Sequence, residues 1–462
     1  MLDKEKPFES IDRLSKQLGD VFSMNFGNER VVVISRDRLF REAFLKDGHN
    51  FSGRPSLFVH ESCWGKGHVI NDGPETVELR RFFGNFIRQK LQGKSGKSLQ
   101  EIVDEEVEQM IQRVDTNLAK GENQLDIEDA VFYAIGNVMT RLILGRSCPH
   151  GSEEFRQSAA WLKTTTELME RTAPLTFLPW LRYFPFKGFG YWEMKKQARK
   201  VNQMMMDDIK MRRQTKEYLD QSNNDLTTNL LRKIDEIKQN DLQKKDPSLK
   251  CYSDEMTARI MTEMFFAGIQ TECGTFSWAF LYLVEFPDVQ ERLRGLIHKT
   301  FGQDGKVHWS ERQKIPYLEA TVMEVQRCAN IAPFGIFHRN RQEAILDGYQ
   351  IPKDSIILMN IWSTMRDFQL FPEPEKFNPE RFLTKDGSEI DKDSLHGLYP
   401  YGIGPRICLG ESIARCELFT VIGTLLQKYR FRKIPNVEYN MERKMQLIIQ
   451  PDPYKLVIER VC

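Results

Sequence analysis

No apolar run of about 18 residues occurs anywhere in the 462-residue chain, which excludes a membrane-spanning helix. The first residues, Met1 to Pro7, are polar and do not form a signal peptide. A linker is also missing. Length alone suggests two or three domains, but no Pro/Gly/Ser-rich stretch separates two periodic regions and no internal repeat is found, so one domain spanning 1–462 is expected. Charge of one sign is lacking: the net charge is +1, which gives no case for nucleic acid. The eight cysteines (Cys63, Cys148, Cys251, Cys273, Cys328, Cys408, Cys416, Cys462) form no C-x-x-C pair and no zinc spacing. That usage fits a reducing compartment better than a disulfide framework. A nucleotide-binding glycine fingerprint is absent as well, so a redox reaction would have to draw its electrons from elsewhere.

What is present centres on Tyr401-Gly402-Ile403-Gly404-Pro405-Arg406-Ile407-Cys408-Leu409-Gly410. Three glycines and a proline disfavour regular structure and make a tight loop that can lie against a flat ligand. Apolar residues then recur at helical spacing over 411–426. A cysteine just before a helix N-terminus feels the positive end of the dipole, which favours the thiolate. Beside an arginine, such a sulfur is suited to a metal. A structural cysteine in a turn is the plainer alternative.

Strands are predicted at 21–26 and 30–34 around a Gly27-Asn28 turn, then a helix at about 37–46. Pro74 suits the first position of a helix. The basic run 88–97 reads as a solvated loop or as a docking patch for an acidic electron donor. The aromatic span from Pro174 to Trp192, which includes Phe177, Trp180, Tyr183, Phe184, Phe186 and Phe189, is either core or an interfacial surface. Residues 214–250 read as a solvated, mobile connection. Ser253 caps a helix that runs to Phe286, where Pro287 stops it. Its near all-round apolarity implies burial through the middle of the protein. Gly268 inside it costs stability, and close approach of a flat ligand would offset that. Glu324 and Arg327 share a helix face. Asp347-Gly348 is a hairpin turn between strands at 344–346 and 355–359.

Taken in order, these segments resemble the cytochrome P450 family over about residues 18–430. The cysteine loop matches its Phe-x-x-Gly-x-Arg-x-Cys-x-Gly signature with Tyr401 in place of Phe. Ala267-Gly268-Ile269-Gln270-Thr271 resembles its oxygen-activating motif, with Gln270 where an acid is usual. Glu324-x-x-Arg327 and Phe377–Phe382 precede the cysteine loop as they do in the family. Residues 411–419 resemble the animal microsomal group that contains steroid 17- and 21-hydroxylases and drug-oxidising enzymes.

The resemblance implies a mainly α fold with small β-sheets around haem b, with Cys408 as the axial thiolate. Thr271 would manage protons through water, with Gln270 or Glu272. An amide orients water but cannot shuttle a proton as an acid does, and Glu272 lies about 100° further round the helix. Arg54, Arg80, His338 and Arg406 would neutralise the haem propionates. Thr76 stands where a propionate-binding Trp is usual, and its hydroxyl would be the replacement donor. Ala267, Gly268 and Tyr401 would lie against the macrocycle. Val69, Phe266, Ala332 and Ile336 would line the substrate pocket. Glu324, Arg327 and Arg381 would form a network that locks the cysteine loop.

The implied activity is insertion of one oxygen atom into a lipophilic small molecule (a steroid, fatty acid or xenobiotic). Electrons would come from NADPH through NADPH–cytochrome P450 reductase, with cytochrome b5 as a second donor. The implied location is the cytoplasmic face of the endoplasmic reticulum membrane. Members of the microsomal group carry an anchor helix before the point where this sequence starts, so a trimmed chain or a soluble protein is expected. Two further readings stay open: a reductase-independent haem-thiolate isomerase or dehydratase, and a non-enzymatic haem carrier or sensor.

Overall fold

The computed structural model describes residues 3–94, 96–149, 151–184 and 189–461. Ser95 of the basic run, Phe186 of the aromatic span and Cys462 lie outside them. Helices α1 (Pro74–Gln92), α2 (Leu99–Ala119), α3 (Ile127–Leu144), α4 (Glu153–Thr172), α5 (Tyr191–Thr215), α6 (Asp254–Glu285), α7 (Pro316–Ala329) and α8 (Glu411–Lys428) build the body. α6 is its axle. The Ser253 hydroxyl accepts the Met256 N–H at 3.1 Å, and the helix ends one residue before Phe286, which Pro287 follows. Its 32 residues run roughly 48 Å at 1.5 Å each. Every residue from Glu272 to Val284 is buried, because α3, α5, α7 and α8 pack around it.

A small sheet flanks this body. β1 (Val21–Phe26) and β2 (Glu29–Ile34) form an antiparallel hairpin closed at Phe26 and Glu29, as the Gly27-Asn28 turn predicts. β3 (His338–Arg339) pairs antiparallel with β4 (Ile356–Met359), which runs parallel to β2. Gly53 bridges Arg339, so the segment carrying Arg54 lies alongside the strand carrying His338.

Three expectations need correction. Residues 214–250 are not a mobile connection. They contain the helix Leu226–Gln239, which buries Leu226, Leu230, Leu231, Ile234 and Ile237 on a stripe that the surrounding Asp, Asn, Lys and Gln obscure in sequence. The basic run is not all loop: it begins in the last turns of α1, where Lys90 is buried with its ammonium 5.9 Å from the Phe86 ring. The Asp347-Gly348 turn joins Ala344–Leu346 to Tyr349–Ile351, with both turn residues at positive φ, while β4 belongs to the first sheet.

Candidate active site

Within its apolar middle α6 turns one stripe away from the core. Ala267 is exposed and Thr271 half-buried, four residues apart on one face, while Phe265 and Ile269 point inward. The Thr271 hydroxyl donates to the Ala267 carbonyl at 2.6 Å. Gln270 and Phe266 are partly exposed beside this stripe. A Cβ at Gly268 would lie 2.6 Å from Met139 Cε on α3, so the missing side chain makes room for a methionine.

The cysteine loop closes with the Cys408 N–H donating to the Tyr401 carbonyl at 2.9 Å. Gly402 and Gly404 both take positive φ. At Gly404 a Cβ would overlap the Phe44 carbonyl, so that glycine is fixed by backbone contact. Cys408 and Ile407 are exposed, and α8 starts just after at Glu411. The helix N-terminus does not by itself produce a free thiolate. Although the residue opens onto the surface, the protein packed around its sulfur, with Glu272 and Glu411, pushes the Cys408 thiol up; the Gly410 N–H and Arg80 oppose this and do not prevail. Coordination to a cation would supply what they lack.

Above the loop is a cluster of arginines with too little negative charge. Arg54 donates to the carbonyls of Val69 (3.2 Å), Ile336 (3.0 Å) and Phe337 (2.9 Å). Arg406 donates to Ser52 (2.8 Å) and Asn71 (3.0 Å) and lies 3.3 Å from Asp72. Arg80 reaches the Ile407 carbonyl at 2.6 Å, and Arg341 takes Asp72 at 2.5 Å. Carbonyls satisfy hydrogen bonds but not charge. Burial, followed by the Arg406 and Arg80 cations, pulls the Arg54 guanidinium down to about 9. Burial pulls Arg406 down to about 10 in spite of Asp72.

His338 belongs to the same cluster. Its Nδ1 lies 2.8 Å from the Phe51 carbonyl; a carbonyl only accepts, so Nδ1 carries the proton. Burial and then Arg54 and Arg406 push its pKa down to about 3. Thr76, one turn before Arg80 on α1, is buried with its hydroxyl unpaired among the described residues. A dianionic group is what this cluster lacks. Haem b carries two carboxylates, so the residues present fit it: Cys408 for the metal, and the arginines, His338 and the Thr76 hydroxyl for the propionates.

The network predicted behind the loop is present. Arg327 donates to Glu324 at 2.7 and 2.9 Å, and Arg381 to Glu324 at 3.1 Å. The Asn378 N–H adds a bond at 2.8 Å. Glu324 and Arg327 are both fully buried. Sequence reasoning missed how α7 meets the loop. Gln326, next to Arg327, donates to the Tyr401 hydroxyl at 2.6 Å. The tyrosine that replaces the usual phenylalanine thus gives the lock a polar contact, and a hydroxyl on the aromatic was the signal for it.

Glu272 lies on another face from Thr271. It is buried, its neighbours are Tyr401, Cys408 and Glu417 of α8, and its Oε2 and both Glu417 carboxylate oxygens lack hydrogen-bond partners among the described residues. Burial raises both carboxyl pKa values, and Glu272 raises that of Glu417 further. Of the expected pocket residues, Ile336 is exposed and Val69, Phe266 and Ala332 are partly so.

A lone cysteine on a loop below a long buried helix, facing surplus arginine, defines a haem-thiolate protein. The chain belongs to the cytochrome P450 family, whose model it matches over residues 1–458. It is 30% identical over 453 residues to cytochrome P450 1A1 of Chelon auratus, covering 94% of this chain and 83% of that protein. It is 28% identical over 459 residues to human cytochrome P450 1A2, covering 95% and 84%. It is 29% identical over 452 residues to cytochrome P450 2U1 of Bos taurus, covering 97% and 80%. It is a monooxygenase, an oxidoreductase that incorporates molecular oxygen.

Proposed function

We propose that this enzyme hydroxylates an uncharged lipophilic molecule of the steroid, fatty-acid or xenobiotic class, with electrons passed from NADPH by a reductase and cytochrome b5 as a second donor. Haem bound through Cys408 would supply dioxygen activation, which thiolate donation favours. The observation that carries the reading is the buried excess of arginine around Asp72 opposite an exposed Cys408. Arg54, Arg80, Arg406 and His338 would orient the propionates. Ala267 presents only a methyl group on the exposed stripe of α6, and Thr271, whose hydroxyl donates to the helix carbonyl, would accept or pass a proton through water. Phe266, Val69, Ala332 and Ile336 would keep the substrate dry.

Trp180, Tyr183, Phe184 and Trp192 are each exposed, which supports peripheral contact with the endoplasmic reticulum membrane. Elsewhere in the span, Tyr191 is buried and Phe177 meets Phe26 and Phe337. Among the described residues no helix is long and apolar enough to cross a membrane.

Gln270, in place of an acid, favours one competing reading, a reductase-independent isomerase. Labelled dioxygen separates the two. Label in the product only when NADPH and reductase are both present supports hydroxylation. Unlabelled product formed from a peroxide substrate without reductase would replace it with the isomerase.

A further inference from the structure

The segment Trp64-Gly65-Lys66-Gly67-His68-Val69 carries two glycines that no motif above explains. Both face α6. A Cβ at Gly65 would lie 2.9 Å from the Arg259 guanidinium, and one at Gly67 would overlap the Glu263 carboxylate. Gly67 has no left-handed φ, so contact with Glu263 is the reason for its missing side chain. Glu263 Oε2 accepts the backbone N–H of His68 at 2.9 Å and of Val69 at 3.3 Å. The same oxygen lies 2.6 Å from His68 Nδ1, and Oε1 lies 3.5 Å from His60 Nε2. Burial pushes the Glu263 carboxyl up, but His68 and His60 outweigh it and hold its pKa at about 2.

Position matters as much as pairing. Glu263, Ala267 and Thr271 are spaced i, i+4, i+8, so Glu263 starts the stripe that faces the cleft. Just beyond its grip, the Val69 carbonyl accepts from Arg54 and the Asn71 carbonyl from Arg406. Asp72, the carboxylate of the arginine cluster, follows. One side chain therefore ties the oxygen-side helix to the segment that sets both a pocket wall and the propionate-facing arginines.

We propose that Glu263 is a positioning residue, a carboxylate clamp that fastens segment 65–72 to α6 and fixes the shape of the substrate pocket on its Val69 side. This rests on the haem-thiolate reading of the cleft. The clamp accepts two backbone N–H groups and carries its negative charge within ion-pair distance of two histidines, His68 and His60. Glu263→Gln keeps the first role and loses the second; Glu263→Ala loses both. Gly67→Ala opens the clamp from the other side, by its methyl striking the Glu263 carboxylate, with no residue of α6 replaced.

The test uses haem-loaded enzyme, with the carbon monoxide spectrum of each variant recorded first so that loss of the thiolate site is seen separately. Amide exchange across 60–72 and affinity for 4-phenylimidazole, read from the Soret band, are then compared. Glu263→Ala and Gly67→Ala are each expected to speed exchange of this segment and to weaken the ligand about tenfold, or about 1.4 kcal/mol. Glu263→Gln should fall between them and the parent. The saturated turnover rate should change far less than the substrate KM. The decisive result is the double variant, which should be no worse than Glu263→Ala alone, because the added methyl then has no carboxylate to strike. Additive losses, or unchanged exchange in Glu263→Ala and Glu263→Gln alike, would overturn the clamp.

Discussion

Glu272 shows how much one residue of helical phase decides. Sequence places it next to Thr271 as a stand-in for the missing acid, yet about 100° of rotation turns it toward Tyr401 and Glu417. Its folded pKa is raised above the ordinary 4.5 by burial. The native state then holds a proton that the unfolded chain has released, so stability falls as pH rises above about 4.5 toward the raised value. Glu272→Gln removes that loss. The variant should gain on the parent by about 1 kcal/mol or more between pH 5 and pH 8, since a tenfold change in proton affinity is worth about 1.4 kcal/mol. Urea unfolding at both values checks this; parallel pH dependence in parent and variant would mean that Glu272 is ionised in the fold. Cys408, Arg54, Arg406 and His338 could be singled out in sequence because each sits in a local motif. The reason for Gly268 could not be, because Met139 approaches from a helix about 130 residues earlier in the sequence.

At the scale of elements, caps and stops carried most of the information. Ser253 and Pro287 bound α6, Pro316 opens α7, and Gly27-Asn28 closes the first hairpin. The helix at 226–239 escaped notice because its apolar stripe is diluted by Asn, Arg, Lys and Asp on the other faces, and only packing reveals which face counts. α7 is where element becomes function. Glu324 is fully buried and accepts from Arg327, Arg381 and the Asn378 N–H. Removing it strands two guanidinium groups, a loss of about 3–5 kcal/mol for a buried pair broken on one side. Glu324→Ala should yield protein with a lowered urea midpoint and little bound haem. A haem-replete, equally stable variant would show that the lock does not hold the loop.

For the whole molecule, net charge says almost nothing and its distribution says a great deal. A chain that is nearly neutral overall gathers Arg54, Arg80, Arg341 and Arg406 around one carboxylate, Asp72, on the side of the cleft above Cys408. Sequence alone could name the arginines of the known motifs, since each sits in its own segment. It could not show that they converge with Asp72 as the acid among them, because they come from four separated segments. The central claim is that this convergence holds a haem whose iron is bound by the Cys408 sulfur. It is tested most directly by reducing the purified haem-loaded enzyme and adding carbon monoxide. A strongly red-displaced Soret band that disappears in Cys408→Ser is the expected result; a band at the position typical of histidine-ligated haem, or one that survives the substitution, would contradict it.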